Sequence, residues 1–367
     1  MTRRITSLLC ALAALLPAAL QAQSYPPAWK STGTYAIGDL AQENGNVYRA
    51  IRAVTAPNLD PAKYYTYWEL YDVRANTTLL IGPEETFPTL VLAWNYALNG
   101  RISPAVYLHF QISTGHGDLN ETFTSGFSLD HPYGANISIL GDSAAKINFT
   151  FSALGSNGFV IDNGHTIAAL SNMTLTGNEG NDGLYAGNNA NIGLITDLQF
   201  TGGFDVFLYA IQNATLVINA NASYTNFTFS ACTAVDGASV LFYQGLTLNG
   251  TLKGAGRGPL AQTNGTYGLQ AVYGGQITAS NANISNCAYG AFALEGSRMT
   301  LDRGVFQNNV ADGIHAETQS QISAESANLS GNKTDDVHVS SASTVDATDA
   351  TFTTSSVGTA SYIFTST

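Results

Sequence analysis

The chain is short of charge, of cysteine and of long apolar runs, and each shortage narrows what it can be. Lys, Arg, Asp and Glu together make up 11% of the 367 residues, with 14 basic against 26 acidic. An acidic surface of that kind repels nucleic acid and anionic membranes, so neither is an expected partner. The three cysteines are Cys10, Cys232 and Cys287. The first lies in the N-terminal apolar run and the other two are far apart, which rules out a disulfide framework and makes two buried thiols the expectation. There is no CxxC and no Cys/His cluster at ligand spacing, so no metal site and no cofactor are expected. After the N-terminus nothing approaches roughly 18 consecutive apolar residues, and no membrane span is expected there.

The first residues, MTRRITSLLCALAALLPAALQA, combine a basic start, an apolar run of moderate length and small residues near Ala22. This is the pattern of a secretory signal peptide (residues 1–22) cut after Ala22, and it implies a secreted or cell-surface protein. The run is short and contains Pro17, which disfavours a membrane anchor. Without Arg3 and Arg4 the remainder holds 12 basic and 26 acidic residues, a net charge of −14. Its polar surface is supplied by Tyr, Asn, Thr and Ser. Uncharged hydroxyls and amides suit neutral sugars, and they equally suit the outside of any β-solenoid.

What the chain does have is an internal repeat. Twenty-residue stretches starting at Gly268, Gly290, Gly313 and Asp336 align without a gap, at spacings of 22, 23 and 23 residues, and an earlier copy starts at Gly183. A repeat of that length, rich in Gly, Asn, Ser and Thr, indicates a solenoid. Within each copy three segments alternate apolar and polar with period two, as in Leu269/Ala271, Ile277/Ala279 and Ala282/Ile284. Each is a short strand with one face buried. Three strands per coil separated by polar turns predict an all-β fold, a right-handed parallel β-helix with rungs about 4.8 Å apart. Leucine-rich repeats would need Leu at fixed positions, and helical repeats a 3.6 period; neither is present. At a turn after the third strand Asn178, Asn309 and Asn332 fall in register with Cys287, which predicts an internal asparagine ladder. The β-helix is expected over 143–367, with the stretch 219–266 breaking register and marking the place to look for a cleft.

Residues 24–73 differ from the rest in their density of aromatics. The run AW (28–29), YAIGD (35–39), NGNVYRA (44–50), Pro57 and WEL (68–70) resembles the small chitin- and cellulose-binding modules of carbohydrate-binding families 5 and 12. The resemblance implies a small twisted antiparallel sheet whose exposed aromatics stack on sugar. Where that family carries paired aromatics this chain has IRAVTAPNLD, so Tyr64, Tyr65 and Tyr67 would form the platform, with Trp29 and Trp68 as further contacts. Packing of these rings in a core is the alternative.

Residues 75–142 join the two parts. TFPTLVLAWNYAL (86–98) predicts a helix, and AVYLHFQI (105–112) and ANISILGD (135–142) predict strands. This order resembles the segment leading into the β-helix of pectate-lyase-like and phage tail-spike proteins, which implies a capping helix over the open end of the solenoid.

Chemistry is sparse. Asp302 and Arg303 are adjacent, and Glu325 falls one rung above Asp302, which would put two carboxylates about 5 Å apart, the spacing of a retaining glycosidase pair. His315 and His338 share an outward position of successive coils, beside Asp312, Asp335 and Asp336, which offers a metal site or an acid–base pair as one reading; the same column elsewhere holds Tyr185, Gln270 and Phe292, which favours a plain surface column. Three function classes follow. The first is a secreted, adhesin-like binder of a neutral, chitin-like polysaccharide. The second is a polysaccharide lyase or glycoside hydrolase with Asp302, Glu325 and Arg303 as catalytic groups, with Ca2+ only in the lyase case. The third is a structural surface protein docked through its N-terminal module.

Overall fold

The structure, a computed structural model, describes residues 26–178, 180–219, 221–225, 227–250 and 267–365. The predicted signal peptide lies outside them. The described residues fall into two compact units: the chain up to Ala75 together with Asn99–Ser103, and Asn76–Leu98 together with the chain from Pro104.

The first unit is a four-stranded sheet in the order Leu40–Glu43, Asn46–Ala50, Trp68–Val73 and Arg101–Ile102. Its first two strands form a hairpin across Asn44 (φ 49°) and Gly45 (φ 83°), the left-handed pair that a two-residue turn matching strand twist requires. Trp68 is fully buried, its Nε1 donates to the Leu59 carbonyl at 3.0 Å, and Tyr35 meets its ring edge-on at 5.0 Å. So small a unit depends on such rings for a core. The fourth strand comes from beyond the predicted boundary: Arg101–Ile102 pairs parallel to Asp72–Val73.

The second unit is a right-handed parallel β-helix. Three parallel sheets run along it, of ten, fifteen and four strands. In one coil the chain passes through Tyr267–Val272 on the first face, Gln276–Thr278 on the second and Asn283–Ser285 on the third. The inward columns are those the repeat predicts. On the first face Leu184, Leu208, Cys232, Leu269, Ala291, Ile314 and Val337 stack with no exposed surface. Each large side chain buried this way contributes roughly 1.5–3 kcal/mol, and the alanines much less. The N-terminal half compensates with rings: Phe200 and Phe207 stack at 4.9 Å and 7°, and Phe204, Tyr224 and Phe227 meet them edge-on. In the last coil Ala350 and Phe352 stay partly exposed, since the third face has no further described strand to cover them.

The helix is Leu90–Ala97, shorter than predicted because Thr89 caps it, accepting from the Leu92 amide at 3.3 Å, while Phe87 bridges back to Ile81. Trp94 packs on Phe110 at 5.4 Å and Phe127 at 6.0 Å. The buried Glu121 carboxylate accepts from the free amides of Leu90 at 2.8 Å and Val91 at 3.2 Å, a match of negative charge to a helix N-terminus.

The asparagine ladder forms in the C-terminal coils. Asn309 donates to Asn332 Oδ1 at 2.9 Å, and Asn309 Oδ1 accepts the Cys287 amide at 3.1 Å. Asp336 extends it, accepting the Asn332 amide at 3.1 Å. Asn178 does not join: it is exposed and donates to the Ser152 carbonyl, and the buried residue at that turn is Asn181. Cys232 and Cys287 are free and buried.

Two strands, Ala169–Gly177 and Asn191–Gly202, are long enough to cover two faces. They turn the corner at Asn172 (φ 54°) and Asp197 (φ 48°), residue types that tolerate the left-handed conformation. The expected register break at 219–266 is narrower than predicted. Ala222–Thr225 pairs with Leu246–Asn249 at a regular step, as do Thr215–Ile218 and Ser239–Phe242. The extra length lies between Asn249 and Tyr267, since Cys232 pairs with Leu269. Residues 251–266 lie outside the described residues.

Candidate functional site

On the third face, inward apolar residues leave the alternate positions pointing outward. Successive rungs present Asn120/Thr122, Asn148/Thr150, Thr174/Thr176 and Gln199/Thr201. Farther along they present Ser223/Thr225, Thr247/Asn249, Asn283/Ser285 and Val305/Gln307. None is charged, and all but Val305 carry a hydroxyl or an amide. Neighbouring rungs bond to one another: Thr176 Oγ1 donates to Asn148 Oδ1 at 2.6 Å and lies 2.7 Å from Thr201 Oγ1.

The face opens between two of its strands. The long sheet continues from the first half of Asn191–Gly202 into Thr215–Ile218, but the second half, on this face, has no next rung in that sheet. Ala222–Thr225 begins the separate four-stranded sheet, and it is not a hydrogen-bonded neighbour of Asn191–Gly202. Between them lies a cleft of about 310 Å3, within the size range of small-ligand sites. Its rim carries Gln199, Thr201, Asn221 and Ser223, and its floor is formed by Leu198, Phe200 and Tyr224. Phe200 and Tyr224 meet edge-on at 5.3 Å. Asp197 is the one charged residue among the described lining. Phe200 and Tyr224 are themselves mostly buried, so the floor offers apolar ring edges, and the rim of neutral donors and acceptors supplies the hydrogen bonds with which the cleft can hold a sugar ring. The cleft touches the start of the stretch singled out from the sequence, but its other wall, Ile195–Thr201, was not foreseen. The signal available was the absence of charge at the outward third-face positions.

Of the predicted platform in the first unit, Tyr64 is exposed, while Tyr65, Tyr67 and Trp29 are half-buried. Trp68 must be corrected: it has no exposed surface and therefore belongs to the core, where it cannot stack on a sugar. Tyr71, not singled out from the sequence, is exposed, and the Arg49 guanidinium lies over its ring at 5.1 Å. Nearby, burial and then the Asp60 carboxylate push Glu43 up to about 7.

Asp302, Arg303 and Glu325 occupy turns between the second and third faces. Asp302 Oδ1 accepts from Ser323 Oγ at 2.6 Å and from the Glu325 amide at 3.1 Å, so it ties one turn to the next. Arg303 (φ 58°) donates to Asn281 at 3.1 Å and is exposed, as is Glu325. The structure thus brings Asp302 to the backbone of Glu325, and none of the three lines the cleft.

The outward column of the first face is more than plain surface. Gln270, Phe292 and His315 are buried, and Tyr267, Val272, Phe292 and Leu294 form an apolar cluster against Phe229 and Tyr289. At the other end of this face burial, with the charge of Asp205 adding to it, pushes the Asp182 carboxyl up to about 7. A carboxyl raised in the folded state stabilises the fold most below the ordinary carboxylate range, and that stability is lost as pH rises through about 7. The melting temperature should therefore fall between pH 4 and pH 7 by this contribution, and D182N should flatten the slope; an unchanged slope in D182N would remove Asp182 from the account.

A family model described as a right-handed beta helix region matches residues 258–366. The agreement is one of fold. No curated protein and no solved structure matched the chain. The matched region covers the C-terminal coils, and the long parallel sheet carries the same architecture back to Thr77–Ile81, which pairs parallel to Leu108–Ile112.

Proposed function

We propose that the protein is a secreted or cell-surface binder of a neutral, chitin-like polysaccharide. The observation that carries this reading is the uncharged third face opening into a cleft floored by Phe200 and Tyr224. A hydrolase or lyase would need facing carboxylates or bases where the glycan lies, and Asp197 is the one charged group among the described residues of the cleft, which favours binding over cleavage. Tyr64, Tyr65 and Tyr67 of the first unit serve as a second, stacking contact on the same insoluble material.

The test is retention of the full-length protein by chitin, cellulose and soluble neutral and acidic polysaccharides. Binding to a neutral glycan should hardly weaken as salt is raised, because no counterions are released. Ser223→Trp, at an exposed rim position, should fill the cleft and lower affinity about tenfold at an unchanged melting temperature. Replacing Tyr64, Tyr65 and Tyr67 together by Ala should weaken retention on the insoluble glycan by roughly 1–3 kcal/mol per stacking ring, by analogy with base stacking. Absence of retention on every glycan would favour the docking role, and a preference for acidic polymers would contradict the proposal.

A further inference from the structure

Two successive coils each carry an Asp-x-x-His step, Asp312–His315 and Asp335–His338, with His315 and His338 in register on the first face. Ile314 and Ala316 on one coil and Val337 and Val339 on the next point to the core, so both imidazoles point outward. Their rings stack at 4.2 Å and 11°. The Nδ1 edge of each faces its own carboxylate, at 2.7 Å from Asp312 Oδ2 for His315 and at 3.5 Å from Asp335 Oδ2 for His338. Donor atoms of Asp312, His315 and His338 all lie within 4.8 Å of one another, the one such cluster among the described residues. A second observation is independent of this. His315 is nine-tenths buried, yet its Nε2 makes no hydrogen bond, and a Glu317 carboxylate oxygen lies 3.6 Å away.

We propose that Asp312, His315, Asp335 and His338 form a binding site for a divalent transition-metal ion of the Zn2+ type. Two imidazoles and two carboxylates are a donor set suited to such an ion, and the nitrogen donors disfavour Ca2+ and Mg2+. Ligation also resolves the orphaned nitrogen. An ion bound at His315 Nδ1 fixes the neutral ring's single proton on Nε2, where Glu317 can accept it, and leaves the Asp312 carboxylate to ligate beside it. Glu317 is then the outer carboxylate that orients a metal-bound histidine and raises its basicity. In-plane ligation by both rings requires His338 to turn out of the stack. Its side chain is 30% exposed and is held at Nδ1 by Ser356 Oγ at 2.6 Å, so the turn exchanges one hydrogen bond for a metal bond. A nucleophilic Ser–His–Asp reading of the same residues fails on geometry. Ser356 and Asp335 both meet Nδ1 of His338, whereas a relay needs them on opposite nitrogens.

The test uses untagged full-length protein stripped with a chelator and titrated calorimetrically with Zn2+ alone at neutral pH, alongside the absorption spectrum with Co2+. The expected result is one equivalent taken up, a raised melting temperature, and the visible bands of a low-symmetry Co2+ centre. H338A should lower Zn2+ affinity at least tenfold, and E317Q should lower it 10–100-fold. Both should leave the melting temperature of the metal-free protein unchanged, which separates a lost ligand from a lost fold. Failure of the wild-type protein to take up a stoichiometric ion overturns the proposal, as does uptake that is the same in H338A and E317Q as in wild type.

Discussion

Leu301→Asp is expected to unfold several coils, lowering stability by at least about 4 kcal/mol. Leu301 is fully buried on the second face, in a column that otherwise holds Ala279, Ala324 and Ala347. A carboxylate there would lie between rungs with no cation to meet it, since no Lys or Arg is buried among the described residues. Its neighbour Thr300 points outward between Thr278 and Ser323, both uncharged. Thr300→Asp should therefore stay within about 0.5 kcal/mol of wild type. Thermal melting of the two variants side by side checks the assignment of faces; similar melting would contradict it.

Gly290→Val is expected to cost at least about 3 kcal/mol, with Gly290→Ala at the lower end of the range. A Cβ on Gly290 would lie 2.5 Å from the Gly313 carbonyl oxygen of the next coil and 2.9 Å from Asn309 Nδ2. The first is backbone held in a ladder and the second belongs to the asparagine ladder, so neither can give way cheaply. The same closeness recurs at Gly268, 2.5 Å from the Gly290 carbonyl, which is why glycine heads the repeat. Full-length protein carrying either substitution, unfolded in urea, should show a lowered midpoint; a wild-type midpoint for Gly290→Val would mean the coils are spaced more widely than described.

The coil architecture was legible because burial dictates it residue by residue. Leu269/Ala271 and Ile277/Ala279 alternate with polar neighbours because each strand has one face inside, and Gly290 leads its copy because a carbonyl crosses it. Other features left a weaker mark. Asn172 and Asp197 let one strand run across two faces, a corner that period-two alternation does not announce. Arg101–Ile102 returns to the first sheet after the helix, and a two-residue strand carries no pattern of its own. Trp68 reads from sequence as a sugar contact or a core ring with equal ease, and only its hydrogen bond to Leu59 and the edge of Tyr35 place it inside. The cleft was hidden because it arises from two strands failing to pair, which is a relation between coils. The Asp and His pairs were visible as a column, but not the orphaned nitrogen of His315, which depends on burial.

Backbone hydrogen exchange of the intact protein, with and without a soluble neutral oligosaccharide, tests the central claim most directly. Bound sugar is expected to slow exchange in Asn191–Gly202 and Ala222–Thr225, the strands that bound the cleft, with the remaining coils unchanged. Protection confined to residues 40–73, or to no strand at all under saturating sugar, would contradict a glycan site on the third face of the β-helix.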